Sequence, residues 1–337
     1  MKTQVLGVET LAARQIAVTT AVEYLRRGEA IALPTETVYG LAADALKINA
    51  ALKIFAAKER PRFDPLIVHL PTHDWLERLT AIPAEDEKLI AGLTNAFWPG
   101  PLTLVLPRQP IVPDVVTAGL ETVAVRISAH PVFSDVIGAF GGPLAAPSAN
   151  RFGRISPTQA NHVSNELDGR IPLIVDGGAT THGLESTIVA VRNGAIEILR
   201  QGPITSEELS ELAAVRIAPK LERPEAPGQL RSHYAPRTPL ILVDGVDSFE
   251  APAGRIGCLC FRGTRNASFI ETRILSASGN LREAAANLFR SLRELDDAKL
   301  DLIVAEEIPE VGLGNAIMDR LRRAGASPNS GARGRLE

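Results

Sequence analysis

The sequence predicts an α/β protein of two domains, the first with a sheet of mixed strand direction and the second with a small parallel sheet. The chain has 337 residues, more than one core comfortably serves. Residues 1–203 alternate strand-like and helix-like patterns, and a proline-rich stretch separates them from a second strand–helix–strand pattern. We therefore place the domains at 1–203 and 239–337, with a linker over 204–238.

In the first domain, prolines and glycines separate the predicted elements. The apolar spacing of Val18, Ala21, Val22 and Leu25 predicts a helix that ends near Gly28. A short buried strand is predicted at "AIALP" and a helix at "AALKIFAAK". Further strands are predicted at "PLIVHL", "PLTLVLP", "TVAVRIS", "PLAAPS", "PLIVDGG" and "STIVAVRNGAIEILR". Short connectors in a mixed α and β order favour a mixed sheet.

The linker begins with a capping box, Thr205 with Glu208, that predicts a short helix. It continues with five prolines in "APKLERPEAPGQLRSHYAPRTP", which predicts an extended segment. The second domain has strand patterns at "LILVDG", "IGCLCF" and "LDLIVAEEI". Helical patterns lie at 281–295 and in "GLGNAIMDRLRRAGA". This order predicts a small parallel, Rossmann-like α/β domain.

Composition excludes several classes of protein. The net charge of −3 argues against a general nucleic-acid coat protein, which needs a basic surface. The two cysteines, Cys258 and Cys260, lack the further Cys or clustered His of a zinc site, so we expect reduced cysteines in a strand. No apolar run reaches about twenty residues, and no basic, hydrophobic leader opens the chain. We expect a cytoplasmic protein that does not contact a membrane.

Polar residues collect at predicted strand ends, where α/β proteins build their sites. In "PTETVYG", Thr35 and Thr37 follow a strand, and their hydroxyls either bond a ligand or cap the next element. In "AAPSANRFGRISPT", Ser148, Asn150 and Ser156 have the same two alternatives, a ligand loop or a helix cap. The Walker, G-x-G-x-x-G, G-x-S-x-G and H-E-x-x-H signatures are absent.

Three cationic residues also lie next to a predicted strand, "PLIVHL". Pro61 and Pro65 stiffen the loop that carries Lys58, Arg60 and Arg62. These charges are a clamp for one small anion, a patch for nucleic acid, or solvated surface charge, and the pattern alone leaves all three open.

Arg126 lies in an otherwise apolar strand and needs an anionic partner, either an internal carboxylate or a bound anion. His69 ends another strand, a position more typical of a core or surface residue than of a ligand contact. Ser186 begins a strand and Arg200 ends the next one. Many cations and hydroxyls without a nucleophile favour a site that holds a nucleotide and a small acid and acts through positioning and electrostatics.

The chain resembles the YrdC-like family in six motifs that occur in order. These are "PTETVYGLAADAL", "K-x-RP-x-x-x-PLIVH", "FWPGPLTLVL", "TVAVRIS", "PLAAPSAN-x-x-G-x-x-SPT" and "GLESTIV". "RSHYAP" and "GLGNAIMDRL" are similar to the longer, two-domain branch, the L-threonylcarbamoyladenylate synthases. The resemblance covers essentially the whole chain apart from its two ends. It implies that the first domain is a YrdC-like mixed, twisted sheet.

The resemblance also implies a nucleotidyltransferase reaction. L-threonine, bicarbonate (or CO2) and ATP give threonylcarbamoyl-AMP and pyrophosphate, with Mg²⁺ carried mainly by the ATP phosphates. The product supplies a tRNA-modifying transferase complex that acts on the adenosine beside the anticodon, and a weak tRNA contact is compatible with this role. No residue has a covalent catalytic role, and Lys58 and Arg60 act by positioning.

Carried over from the family, the L-threonine pocket comprises Thr37, His69, Arg126, Ser148 and Ser186. The ATP side comprises Lys58, Arg60, Asp64, Thr122, Ala146, Asn150, Ser156, Arg200 and Tyr234. The resemblance makes the linker a lid, with Tyr234 reaching over the nucleotide. Two positions depart from the family pattern, which usually has glycine at Glu59 and commonly asparagine at Asp64. A carboxylate at Asp64 is unfavourable near phosphates unless it faces Mg²⁺, water or Arg60.

Two other functions stay open. YrdC-like domains have a concave basic surface, so the main alternative is a tRNA- or double-stranded-RNA-binding module without turnover. A carbamoyltransferase of a related maturation system would use carbamoyl phosphate, but this chain lacks the zinc-type cysteine clusters expected alongside.

Overall fold

The computed structural model describes residues 2–219, 225–228 and 233–326. It divides into two compact units. The first unit comprises residues 2–152 and 157–181 and the described part of 185–228. The second comprises 153–156, 182–184 and the described residues from 233 onward. Parts of the predicted linker and the C-terminal tail lie outside the described residues.

The first unit is built on one sheet of eleven strands, in the order β1-β8-β2-β3-β7-β4-β6-β5-β9-β10-β11. Its strands are β1 (Gln4–Gly7), β2 (Ile31–Leu33), β3 (Gly40–Asp44), β4 (Ile67–His69), β5 (Leu102–Pro107), β6 (Thr122–Arg126), β7 (Leu144–Ala145), β8 (Leu173–Asp176), β9 (Thr187–Arg192), β10 (Ala195–Arg200) and β11 (Val215–Ile217). Its helices are α1 (Leu11–Arg26), α2 (Ile48–Lys58), α3 (Trp75–Leu79), α4 (Glu87–Phe97), α5 (Asp114–Thr117), α6 (Pro131–Phe140), α7 (Ala160–Leu167) and α8 (Ser206–Ser210). The sheet contains both parallel and antiparallel pairs, which confirms the predicted mixed direction.

The second unit contains a four-stranded parallel sheet in the order β12-β15-β13-β14. Its elements are β12 (Leu240–Val243), β13 (Ile256–Cys260), β14 (Glu271–Ile274), β15 (Leu302–Glu306), α9 (Leu281–Asp297) and α10 (Leu313–Gly325). The predicted helix face at 281–295 is buried, and Asn280 caps α9 by accepting from two backbone N–H groups. Both cysteines are free and buried in β13. The predicted α/β class and the parallel second sheet are confirmed.

Local sequence explains the boundaries of several elements. The buried face of α1 contains the four predicted apolar residues. At α8, the Thr205 hydroxyl accepts from the Glu208 backbone while the Glu208 carboxylate accepts from the Thr205 backbone at 2.7 Å, so the predicted capping box is present. Within the stretch predicted as linker, β11 adds a parallel strand beside β10. No helix among the described residues is long and apolar enough to cross a membrane.

Helix α2 ends at Lys58 and is followed by the cap residue Glu59, which adopts left-handed backbone angles with φ of 55°. This conformation suits glycine, because a Cβ atom is strained in it. The exposed Glu59 carboxylate bridges Arg151 and Arg170 at 2.5 and 2.8 Å, which partly offsets the strain.

We expect Glu59→Gly to have a higher melting temperature than Glu59→Ala. Both variants lose the bridges to Arg151 and Arg170, but only alanine keeps a Cβ atom in the left-handed region. Thermal unfolding followed by circular dichroism measures the difference. An alanine variant as stable as the glycine variant would show that the turn is unstrained.

Candidate active site

Five adjacent strands, β4, β6, β5, β9 and β10, carry the candidate site on one face of the first sheet. Directly paired residues of neighbouring strands point to the same side of a sheet. His69 pairs with Arg126, and Ala124 pairs with both Ile67 and Val105, so these side chains share one face. Apolar residues form the floor of this face, namely Ile67, Val105, Ala124, Ile188, Ala190, Leu199 and Ala226.

Arg126, at the end of β6, is 2% exposed and forms an ion pair with the buried Glu36 carboxylate through Nη2. Its Nη1 donates to the Thr37 hydroxyl at 3.2 Å. Its Nε has no acceptor among the described residues. Of the two partners that the sequence left open, the structure supplies an internal carboxylate. The Nε–H is a donor that the described residues leave unused.

Glu36 is held from a second direction by Ser128, whose hydroxyl donates to Oε2. Burial by itself raises the pKa of Glu36, but the charge of Arg126 and the hydrogen bonds from Ser128 and the backbone outweigh it. The pKa of Glu36 therefore lies below its ordinary value. The carboxylate stays ionised and the buried pair carries no net charge.

His69 lies beside Arg126 in the strand register and is 3% exposed. Burial, and then the charge of Arg126, lower the pKa of His69 well below its ordinary range, so the imidazole is neutral. Its Nδ1 has no hydrogen-bond partner among the described residues. Buried polar atoms are normally paired, so Nδ1 of His69 and Nε of Arg126 indicate a place for a polar ligand.

Lys58, the last residue of α2, is 1% exposed. Its Nζ donates to the backbone oxygens of Ser148 and Asn150, the latter at 2.5 Å. Burial and then Arg60 lower the pKa of Lys58 well below its ordinary range. Lys58 therefore anchors the "PSAN" loop in this structure, and an extended RNA surface does not explain it.

Arg60 is also buried and lies 2.9 Å from Asp64 Oδ2, while its guanidinium donates to the backbone oxygens of Asp64 and Pro65. No N–H of a described residue points at either Asp64 carboxylate oxygen. Burial raises the pKa of Asp64, and the charges of Arg60, Lys58 and Arg200 oppose the shift. The ion pair with Arg60 therefore stabilises the buried carboxylate of Asp64. Arg62, in contrast, is exposed.

Arg200 and Ser186 are joined at the far side of the same face. Arg200 donates to the Ser186 backbone oxygen at 2.8 Å and to its hydroxyl at 3.0 Å. The Ser186 hydroxyl also lies 2.8 Å from that of Thr103 in β5. Arg200 donates further to the Pro227 oxygen, and the neighbouring Ala226 packs on the apolar floor.

The other predicted residues occupy different parts of the unit. Thr122 is half-buried on the same face as Arg126, but at the opposite end of β6, about 13 Å along the strand. Ala146 donates its N–H to the Ile67 oxygen, and the half-buried Ser148 forms an antiparallel bridge with Gly40. The structure thus joins Thr37, His69 and Arg126 in one group, Lys58 with Ser148 and Asn150 in a second, and Ser186 with Arg200 in a third.

Two predicted ATP-side residues belong to the second unit. Ser156 is buried in the segment 153–156, where Arg293 of α9 donates to the Ile155 oxygen and Ala235 donates to the Gly153 oxygen. Tyr234 is 1% exposed, stacks on Phe289 and lies under the Arg320 guanidinium. Its φ of 63° is unusual for a non-glycine residue. Its predicted role over a nucleotide stays a prediction.

Three residues of this network were missed in the sequence, namely Glu36, Thr103 and Ser128. Glu36 stands between the two threonines of "PTETVYG", and the need of a buried arginine for a carboxylate was a signal for such a residue. Nothing in the pattern indicated which carboxylate it was, because the contact joins positions 90 residues apart. Thr103 and Ser128 have no signal beyond their places in the predicted strands "PLTLVLP" and "TVAVRIS".

Fold and site together define a two-domain α/β protein of the YrdC-like class. A family model for Sua5, YciO and YrdC, described as "Telomere recombination", matches residues 23–202. A second model, "Threonylcarbamoyl-AMP synthase, C-terminal domain", matches residues 204–326. The chain belongs to the Sua5/YciO/YrdC family, in its two-domain form.

Relatives that match over most of both chains support this assignment. The threonylcarbamoyl-AMP synthase of Pyrococcus abyssi is 39% identical over 322 residues, which cover 90% of this chain and 92% of that protein. That of Bacillus subtilis is 40% identical over 321 residues, covering 90% and 91%. A crystal structure of P. abyssi Sua5 complexed with L-threonine has a TM-score of 0.86 at 37% identity, covering 96% of this chain and 98% of that one.

Proposed function

We propose that this protein condenses L-threonine, bicarbonate (or CO2) and ATP into threonylcarbamoyl-AMP and pyrophosphate. The observation that carries the proposal is two buried polar atoms on adjacent strands, Arg126 Nε and His69 Nδ1, that have no hydrogen-bond partner among the described residues. An N–H donor next to a neutral imidazole nitrogen matches a ligand that has both a carboxylate and a hydroxyl. The names of full-length relatives and the threonine-bound P. abyssi structure support the same substrate.

The proposed chemistry needs positioning more than it needs a reactive side chain. The threonine amine adds to CO2 and loses a proton, which gives a carbamate. A carbamate oxygen then attacks the α-phosphorus of ATP, the bond to the bridging oxygen breaks, and pyrophosphate leaves with that electron pair. Arg60 and Arg200, together with Lys58 once it is protonated, place positive charge near Asp64, where phosphate oxygens would be stabilised.

Mg²⁺ enters the proposal with ATP rather than as a resident ion of the protein. Among the described residues, no group of three or more His, Cys, Asp or Glu side chains could hold a metal ion. A cation bound to the phosphates would be a favourable neighbour for Asp64, whose carboxylate oxygens accept no hydrogen bond from described residues. In the proposal, the product passes to a tRNA-modifying transferase complex.

Pyrophosphate release tests the proposed function. We expect release from MgATP that needs both L-threonine and bicarbonate and stops when either is left out. Tight tRNA binding with no turnover would contradict the synthase and support the RNA-binding alternative. Lys58 and Arg60, the cations that first suggested an RNA patch, are 1% and 7% exposed, which disfavours that alternative.

We also expect ATP binding to take up a proton. The pKa of Lys58 is lowered by burial and by Arg60, and a bound polyanion raises it again. Between the free and the bound pKa, binding therefore charges Lys58, and the affinity for ATP falls as pH rises through this window. Calorimetry in two buffers of different ionisation enthalpy counts the protons. Uptake that persists in Lys58→Met would assign the proton to another group.

A further inference from the structure

We propose that Glu36 sets the specificity of the threonine subsite by cancelling the charge of Arg126, so that the site takes a zwitterionic amino acid rather than a simple small anion. The inference rests on the proposed function and deepens it. Glu36 would act through Arg126, as a positioning residue, without touching the substrate.

Contacts with other protein groups occupy both carboxylate oxygens of Glu36, so it is not expected to bind the substrate directly. Its Oε1 binds Arg126 Nη2, and its Oε2 accepts from the Ser128 hydroxyl. Glu36 is 6% exposed and Arg126 is 2% exposed, so solvent screens the pair weakly. Both oxygens of Glu36 are bound to protein groups, so Glu36 acts on a ligand through its charge and not through direct contact.

The same contacts determine which edge of Arg126 faces a ligand. Nη2 is taken by Glu36 and Nη1 donates to Thr37, so only Nε lacks an acceptor among the described residues. His69 Nδ1, on the adjacent strand, is the neighbouring atom without a partner in the described part of the chain. A ligand at these two atoms would bind a guanidinium whose charge is already balanced.

This balance has a chemical consequence. A lone buried guanidinium attracts phosphate, bicarbonate and any carboxylate, and the proposed reaction uses both ATP and bicarbonate. With Glu36 ionised, a monoanion would add a net negative charge to a buried site that is already neutral. A zwitterion adds none, because its ammonium and carboxylate cancel. Specificity then comes from the unfavourable electrostatic free energy of binding a simple anion at this site.

The test compares L-threonine with (R)-3-hydroxybutyrate, which is threonine without its ammonium group. Calorimetric titration in a phosphate-free buffer gives Kd for both ligands. We expect the wild-type protein to prefer L-threonine by at least about tenfold. In Glu36→Gln, which keeps the shape and removes the charge, we expect this preference to fall by about tenfold or more, because the hydroxy acid gains affinity.

Ser128→Ala is the matched control, since it removes a hydrogen bond to Glu36 and leaves the charge. Its preference should stay within about twofold of wild type. An unchanged preference in a folded Glu36→Gln, with both ligands weakened equally, would overturn the inference and leave Glu36 a structural role. If Glu36→Gln does not fold, the Kd values of the wild-type protein serve as the test. Equal affinity of the wild-type protein for L-threonine and (R)-3-hydroxybutyrate would then overturn the inference. A wild-type protein that binds no L-threonine contradicts the proposed function itself.

Discussion

Arg126→Met is expected to abolish threonine-dependent pyrophosphate release and to lower the free energy of unfolding by about 3–5 kcal/mol. Activity is lost because the N–H edge that faces the proposed carboxylate is gone. Stability is lost because Glu36, 6% exposed, keeps a buried negative charge without its partner. Initial-rate assays and urea unfolding measure the two effects separately.

The double variant Arg126→Met with Glu36→Gln separates folding from binding. Removing both charges leaves no unpaired ion, so we expect most of the lost stability to return. Activity should stay absent, since the carboxylate contact is still missing. A double variant that recovers both stability and turnover would show that Arg126 serves the fold alone.

Truncation after residue 203 is expected to have the second large effect, complete loss of turnover. The cut removes β11, which pairs with β10, and Ala226, which covers part of the apolar floor. It also removes the Pro227 oxygen that accepts from Arg200. Pyrophosphate assays on the purified, folded fragment provide the measurement, and normal turnover would show that everything after residue 203 is dispensable.

A cut after residue 228 isolates the contribution of the second unit. This fragment keeps β11 and Ala226 but loses Ala235 and Arg293, which hold the segment 153–156 through its backbone oxygens. Misplacing a substrate-binding loop by about 1 Å can cost about 10²-fold in rate, so we expect a loss of at least that size if Ser156 contacts ATP. Full activity in this fragment would show that the segment keeps its function without the contacts to Ala235 and Arg293.

Short-range chemistry made much of the fold predictable. The Thr205 capping box, the buried face of α1 and the strand patterns all appear in the structure, because each depends on residues a few positions apart. Other elements gave weak signals. The edge strands β1 and β14 are four residues long and partly exposed, so neither has the apolar run that indicates a buried strand.

The candidate site was predictable in its residue types and not in its pairings. An arginine in an apolar strand required an anion, but the choice of Glu36 depends on how a loop after β2 folds over β6. The place of residues 153–156 in the second unit was also not predictable, because it depends on contacts with Ala235 and Arg293, which are distant in sequence. For Asp64 the sequence left Mg²⁺, water and Arg60 open as neighbours, and the structure places Arg60 2.9 Å from its Oδ2.

Mass spectrometry of the product tests the central claim most directly. The protein is incubated with L-threonine, ¹³C-bicarbonate and ATP labelled at the α-phosphate. The proposed reaction predicts one adenylate that carries the threonyl group, the ¹³C carbonyl and the labelled phosphate together, with pyrophosphate in equal amount. Pyrophosphate released without ¹³C in the adenylate, or labelled ADP in its place, would contradict the proposed condensation.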